Sequence, residues 1–133
     1  MRQIFSISSW ASVPPVDDPS GGKVSLDNLG PYGPPAFEWN FPVEVPVGKT
    51  MYVTDIEFVS KCVRRPSQDV TWRNSYVVLN SITTMGENQP TRHYVTPIRL
   101  PAEFVVSGHF QNNSPENQNM IVRVHGYLED ADA

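Results

Sequence analysis

At 133 residues, 39% of them hydrophobic and 18% charged, the sequence has the length of one domain and enough apolar material for a core without staples. A net charge of −4 leaves no basic footprint for nucleic acid. The single cysteine, Cys62, excludes an intrachain disulfide and a cysteine-built zinc site, and reads as a small buried hydrophobe.

The chain opens Met1-Arg2-Gln3-Ile4-Phe5-Ser6-Ile7, without the apolar core of a signal peptide, and no later stretch is long enough to span a membrane. The expectation is synthesis in the cytoplasm without a signal peptide, and no membrane partner. A short strand is predicted over Ile4 to Trp10. Prolines then dominate: eight of the thirteen lie in residues 1 to 46. The runs Pro14-Pro15-Val16-Asp17-Asp18-Pro19-Ser20-Gly21-Gly22 and Gly30-Pro31-Tyr32-Gly33-Pro34-Pro35 lack donors for a central strand and cannot continue a helix. Ordering such a segment costs about 1 kcal/mol or more per residue. It therefore needs a surface to lie on, either its own domain or a neighbouring subunit.

From Ala36 onward the pattern is β. Phe37 to Phe41 alternates aromatic and polar residues. In Met51 to Ser60 the alternation sets Tyr52, Thr54, Ile56 and Phe58 on one face, and Asp55 and Glu57 on the other. Further strands are predicted over Val70–Asn80, Ser81–Met85, Arg92–Leu100 and Glu103–Phe110, with Phe104, Val106 and Phe110 inward. The last strand turns Met120, Val122, Val124 and Leu128 inward, Arg123 and His125 outward. Turn residues separate these runs, and no window has helical periodicity. Seven or eight such strands argue for a sandwich or barrel.

Few motifs suggest chemistry. Gly48-Lys49-Thr50 lacks the earlier glycine and the following helix of a phosphate loop, and reads as a turn. His93, His109 and His125 are spaced sixteen apart. If residues 112–117 close a hairpin, His109 and His125 face each other across two strands, but no acidic residue has ligand spacing. No metal and no cofactor is expected. Asp17-Asp18 lacks the spacing of a calcium loop. Ser107 and His109 share a strand face without an acid to orient the imidazole, so no enzyme is expected. Two features suit binding. Lys61 to Arg73 gathers four of the ten basic residues around a turn. Arg64, Arg65 and Arg73 there can clamp carboxylates of a partner or an acidic glycan, and Trp72 can stack on a sugar ring. Trp10, Trp39, Tyr32 and Tyr94 are further aromatic candidates.

Three stretches carry a resemblance: Val45-Pro46-Val47-Gly48-Lys49-Thr50-Met51-Tyr52-Val53-Thr54-Asp55-Ile56, Leu100-Pro101-Ala102-Glu103-Phe104-Val105-Val106-Ser107-Gly108, and Val122-Arg123-Val124-His125-Gly126-Tyr127-Leu128. Together, over about residues 43 to 128, they resemble small jelly-roll modules of bacteriophage virions and related carbohydrate-binding proteins. In those modules a V-P-x-G-K turn leads into a strand and G-Y-L ends the final one. Glu103 departs from the glycine expected after Leu-Pro-Ala, and no functional residue is carried over. The resemblance implies a self-associating module, often a trimer, that decorates a capsid or belongs to a fibre or attachment device. The expected fold is thus an all-β, two-sheet antiparallel sandwich of jelly-roll type. Residues 1–35 are expected to form an N-terminal strand and Pro/Gly-rich arm, and residues 36–133 the sandwich. The expected function is structural: a virion-associated homo-oligomer docking into a larger assembly through the arm. The alternative is a carbohydrate-binding module contacting a glycan through Arg64, Arg65, Trp72 and Arg73.

Overall fold

A computed structural model describes residues 2–27, 38–39, 41–62, 75–86 and 90–131. These residues form eleven strands and no helix. In chain order they are β1 (Gln3–Val13), β2 (Lys23–Ser25), β3 (Glu38–Trp39), β4 (Val43–Glu44), β5 (Lys49–Cys62), β6 (Tyr76–Leu79), β7 (Thr83–Gly86), β8 (Thr91–Leu100), β9 (Val105–Val106), β10 (Gly108–Gln111) and β11 (Gln118–Asp130).

A five-stranded sheet has the order β3-β1-β11-β5-β8, and a four-stranded sheet the order β2-β10-β6-β7. A small pair, β4-β9, completes the set. Every pairing is antiparallel except the short contact of β1 with β3. The two large sheets share one core, which makes the fold sandwich-like. Phe5, Ile7, Ile56, Phe58, Val122 and Val124 from one sheet meet Val77, Leu79, Met85 and Phe110 from the other. The rings of Phe58 and Phe110 lie 6.3 Å apart across the gap. Burying each such side chain contributes about 1.5–3 kcal/mol.

The last strand follows its expected alternation: Met120, Val122, Val124 and Leu128 are buried. In β5 the face changes halfway. Met51 and Val53 are buried, and then Ile56 and Phe58. The register shows why: Val53 opposes Gly126 and Asp55 opposes His125, so Thr54 is an extra residue. This β-bulge turns Tyr52 outward, against the strict alternation expected for it. Gly126 makes the bulge possible, since a Cβ there would sit 1.9 Å from the Tyr52 carbonyl oxygen. β8 is the outer strand, and its register against β5 steps from His93 to Ile98. Pro97 falls in that unpaired step, where its missing N–H costs no ladder bond.

The opening strand is integral to the large sheet, pairing with β11 from Gln3–Leu128 to Val13–Gln118. The strand expected at the start of residues 1–35 is thus a member of the same sheet as β5 and β11. The first Pro/Gly run also rests on its own domain. Val16 N–H donates to the Ser114 carbonyl (3.1 Å), and Asn112 N–H to the Gly22 carbonyl (2.7 Å). The Asn112 side chain is fully buried, and its Nδ2 donates to the carbonyls of Val13, Pro14 and Glu116 at 2.8–3.1 Å. Its Oδ1 accepts from Ser114 N–H (2.9 Å), Ser114 Oγ (2.7 Å) and Ser75 Oγ (3.3 Å). Gln111 Nε2 reaches the Gly21 carbonyl (2.9 Å), and buried Gln118 bridges Ser60 and Ser114. The second run, 30–35, lies outside the described residues.

Candidate functional site

The outward face of the five-stranded sheet holds the densest ordered surface chemistry among the described residues. β11 and β5 run side by side over thirteen residues each way of the ladder, from Gln118–Cys62 to Asp130–Lys49. Their outward residues stand in rows: Tyr127 beside Tyr52, His125 beside Asp55, Arg123 beside Glu57, Ile121 beside Val59. β1 and β8 extend these rows. Ile4 stands next to Tyr127, Ser6 next to His125, Trp10 next to Ile121, and His93 next to Asp55.

Each row has its own bonding. The Tyr52 and Tyr127 rings stack at 5.0 Å and 22°. The Arg2 guanidinium lies 4.3 Å over the Tyr127 ring and pairs with Glu129 at 2.7 Å. At the next residue of β11, Lys49 pairs with Asp130 at 2.5 Å. Asp55 Oδ1 meets His93 Nδ1 at 2.7 Å, and its Oδ2 accepts from Thr54 Oγ1 at 2.8 Å. The His93 hydrogen bond, then that of Thr54, holds the Asp55 carboxyl below its ordinary value. Arg123 Nη1 faces Glu57 Oε2 at 3.7 Å. At the edges apolar groups are left in solvent: Ile4 is 75% exposed, Trp10 47% and Val59 41%.

The three histidines do not converge. His93 and His125 flank Asp55 on the large sheet, whereas His109 lies in β10 of the other sheet, paired with Ser25 and Val78. Residues 112–117 therefore do not close a hairpin between β10 and β11, because those strands belong to different sheets. Among the described residues no group of three histidine, cysteine, aspartate or glutamate side chains is placed to hold a metal ion. Burial, and secondarily the charge of Lys23, holds the His109 imidazole below its ordinary value. The Ser107 hydroxyl accepts from Asn80 Nδ2 at 3.0 Å. Gly48 sits at φ 81° in the turn before β5, as expected of a turn glycine. Asp18 accepts from Ser20 N–H at 2.9 Å within a turn, which lowers its carboxyl value.

The sequence-predicted contacts Arg64, Arg65, Trp72 and Arg73 lie outside the described residues. The sequence alone does not single out the outward rows of β5 and β11 as a site. Their signal is present in the alternation of both strands, but it forms rows only once the register is known. Comparison with models of known protein families and with curated proteins finds no match for this chain.

Proposed function

We propose that this chain is a non-enzymatic structural module of the jelly-roll class that self-associates within a larger assembly of virion decoration, fibre or attachment type. Strand order supports the jelly-roll reading. Leaving out the three two-residue strands, the remaining eight divide between the sheets in the orders first-eighth-third-sixth and second-seventh-fourth-fifth. A chain of paired antiparallel segments rolled around one core gives this order. The three stretches that carry the family resemblance also meet in space, for Leu128 pairs with Met51, and Met51 with Leu100. Val45 bonds both Phe104 and Glu103 through its backbone.

The observation that carries the functional reading is the outer face of the large sheet, where rows of cross-paired acidic and basic side chains run between exposed Ile4, Trp10 and Val59. Charges already paired within the chain, with apolar groups beside them, suit a protein partner better than a small polar substrate. Fold likeness alone does not fix a function. Docking is accordingly assigned to this face and not to residues 14–22, whose hydrogen bonds turn back on the domain. Light scattering on chromatographed protein tests the reading: a homo-oligomer is expected, the trimer implied by the resemblance included. A monomer at about 100 μM, well above the range of specific association, refutes it. Trp10 favours the second reading, a glycan-binding module, because it presents an exposed indole for stacking on a sugar. Binding on a glycan array that is lost in Trp10→Ala would support that alternative.

A further inference from the structure

We infer that the outer face of the large sheet is an isologous contact for a second copy of this chain, with a twofold axis running along the strands between β11 and β5. The inference rests on the self-association proposed above and assigns its surface.

The argument is one of register. A twofold axis between two neighbouring strands and parallel to them lays β11 of one copy over β5 of the other, and the reverse. At each level the facing residues are then those that already stand side by side in one chain. Tyr127 faces Tyr52 of the second copy, His125 faces Asp55, Arg123 faces Glu57 and Ile121 faces Val59. The two rings meet, the two aliphatic residues meet, and basic side chains meet acidic ones. β11 contributes the basic side chain of both rows and β5 the acidic one, so the face is complementary to itself.

Arg123 and Glu57 are 3.7 Å apart within the chain, and the second copy supplies the same pair reversed. Four charges of alternating sign then stand at the corners of one square, each with opposite neighbours on its two edges. The ions enter the contact already paired, which lowers the cost of taking them from water. Tyrosine and arginine are long enough to bridge sheets stacked about 10 Å apart. Stacked sheets cross at about 30°, so the match is best close to the axis, where these rows lie. Exposed Trp10 and Ile4 flank the contact on β1. A trimer using this contact as well becomes a hexamer of two stacked rings.

The test uses two full-length variants, Arg123→Glu and Glu57→Arg, each examined alone and then mixed in equal amounts, by light scattering and sedimentation. Alone, each variant puts like charges at every corner of the square, and the symmetry counts the substitution twice. The dissociation constant should weaken by about a hundredfold or more. Mixed, the acidic row of one variant meets the basic row of the other, and association should return as a heterodimeric contact. Loss in each variant alone with recovery on mixing supports the inference. A wild-type oligomer that neither substitution weakens, or a loss that mixing does not restore, overturns it and leaves self-association standing. A monomeric wild type overturns both. The side chains of both residues are at least one-third exposed, so the variants are expected to keep the fold, and circular dichroism of each checks this.

Discussion

Replacing Asn112 by alanine removes the hub that fastens the first Pro/Gly run to the sandwich. The side chain is fully buried and touches four backbone groups: the carbonyls of Val13, Pro14 and Glu116, and the N–H of Ser114. The hydroxyls of Ser75 and Ser114 can rotate to other partners, but the backbone groups cannot. The two Nδ2 hydrogens are shared among the three carbonyls, so at about 1 kcal/mol net for each group left without its partner the loss is at most about 4 kcal/mol. Water entering the vacated space returns part of it, so about 3 kcal/mol is expected. That is a large share of the 5–15 kcal/mol that holds a typical domain together. In urea the midpoint should fall with an unchanged slope, and the melting temperature should drop by about 10 °C. Asn112→Asp should cost more at neutral pH, because it sets a carboxylate against three carbonyl oxygens. A loss below about 1 kcal/mol for the alanine variant would show that the network is decoration rather than fastening.

Two further perturbations probe local chemistry. Glu103 has φ 70° at the third position of the Pro101–Phe104 turn, a conformation that suits glycine. Glu103→Gly should therefore raise stability by about 0.5–1 kcal/mol, read as a higher melting temperature, and an unchanged or lower one refutes the strain. For His109, burial and then Lys23 lower the folded value from 6.5, so the unfolded chain takes up the proton first as pH falls. The stability contributed by neutral His109 is complete above pH 6.5 and declines as pH falls through that value toward the folded one. Urea midpoints at pH 7.5 and 5.5 should differ less in His109→Gln than in the parent; equal differences refute it.

Much of the sheet structure was legible because alternation is a local signal. Met120, Val122, Val124 and Leu128 show it, and so do Phe104, Val106 and Phe110. The break at Thr54 was not legible, since no proline or local glycine marks it; the glycine that permits it, Gly126, lies on the neighbouring strand. Proline density sets residues 1–35 apart in the sequence, although Phe5, Ile7, Ala11 and Val13 alternate inward like any core strand. Asn-Asn-Ser-Pro-Glu-Asn at 112–117 resembles a hairpin turn by composition. Here the buried Asn112 side chain organises it as a passage from one sheet to the other. The rows on the outer face depend on pairing between residues about seventy positions apart, which composition does not carry. Glu103 was visible in sequence as a departure from glycine, and its positive φ gives that departure a physical meaning.

The pairing of β1 with β11 also imposes an order in time. Gln3 finds its neighbour in Leu128, and Ile7 in Val124. While the chain is being made, β1 emerges before β11 and has only the two-residue β3 beside it until the last strand follows. Contacts of such wide separation close slowly, and an uncovered strand is exposed to aggregation meanwhile. The middle of the large sheet is thus the final part to be assembled, and on the ribosome the apolar side of β1 waits for its main neighbour while everything between Val13 and Gln118 is made.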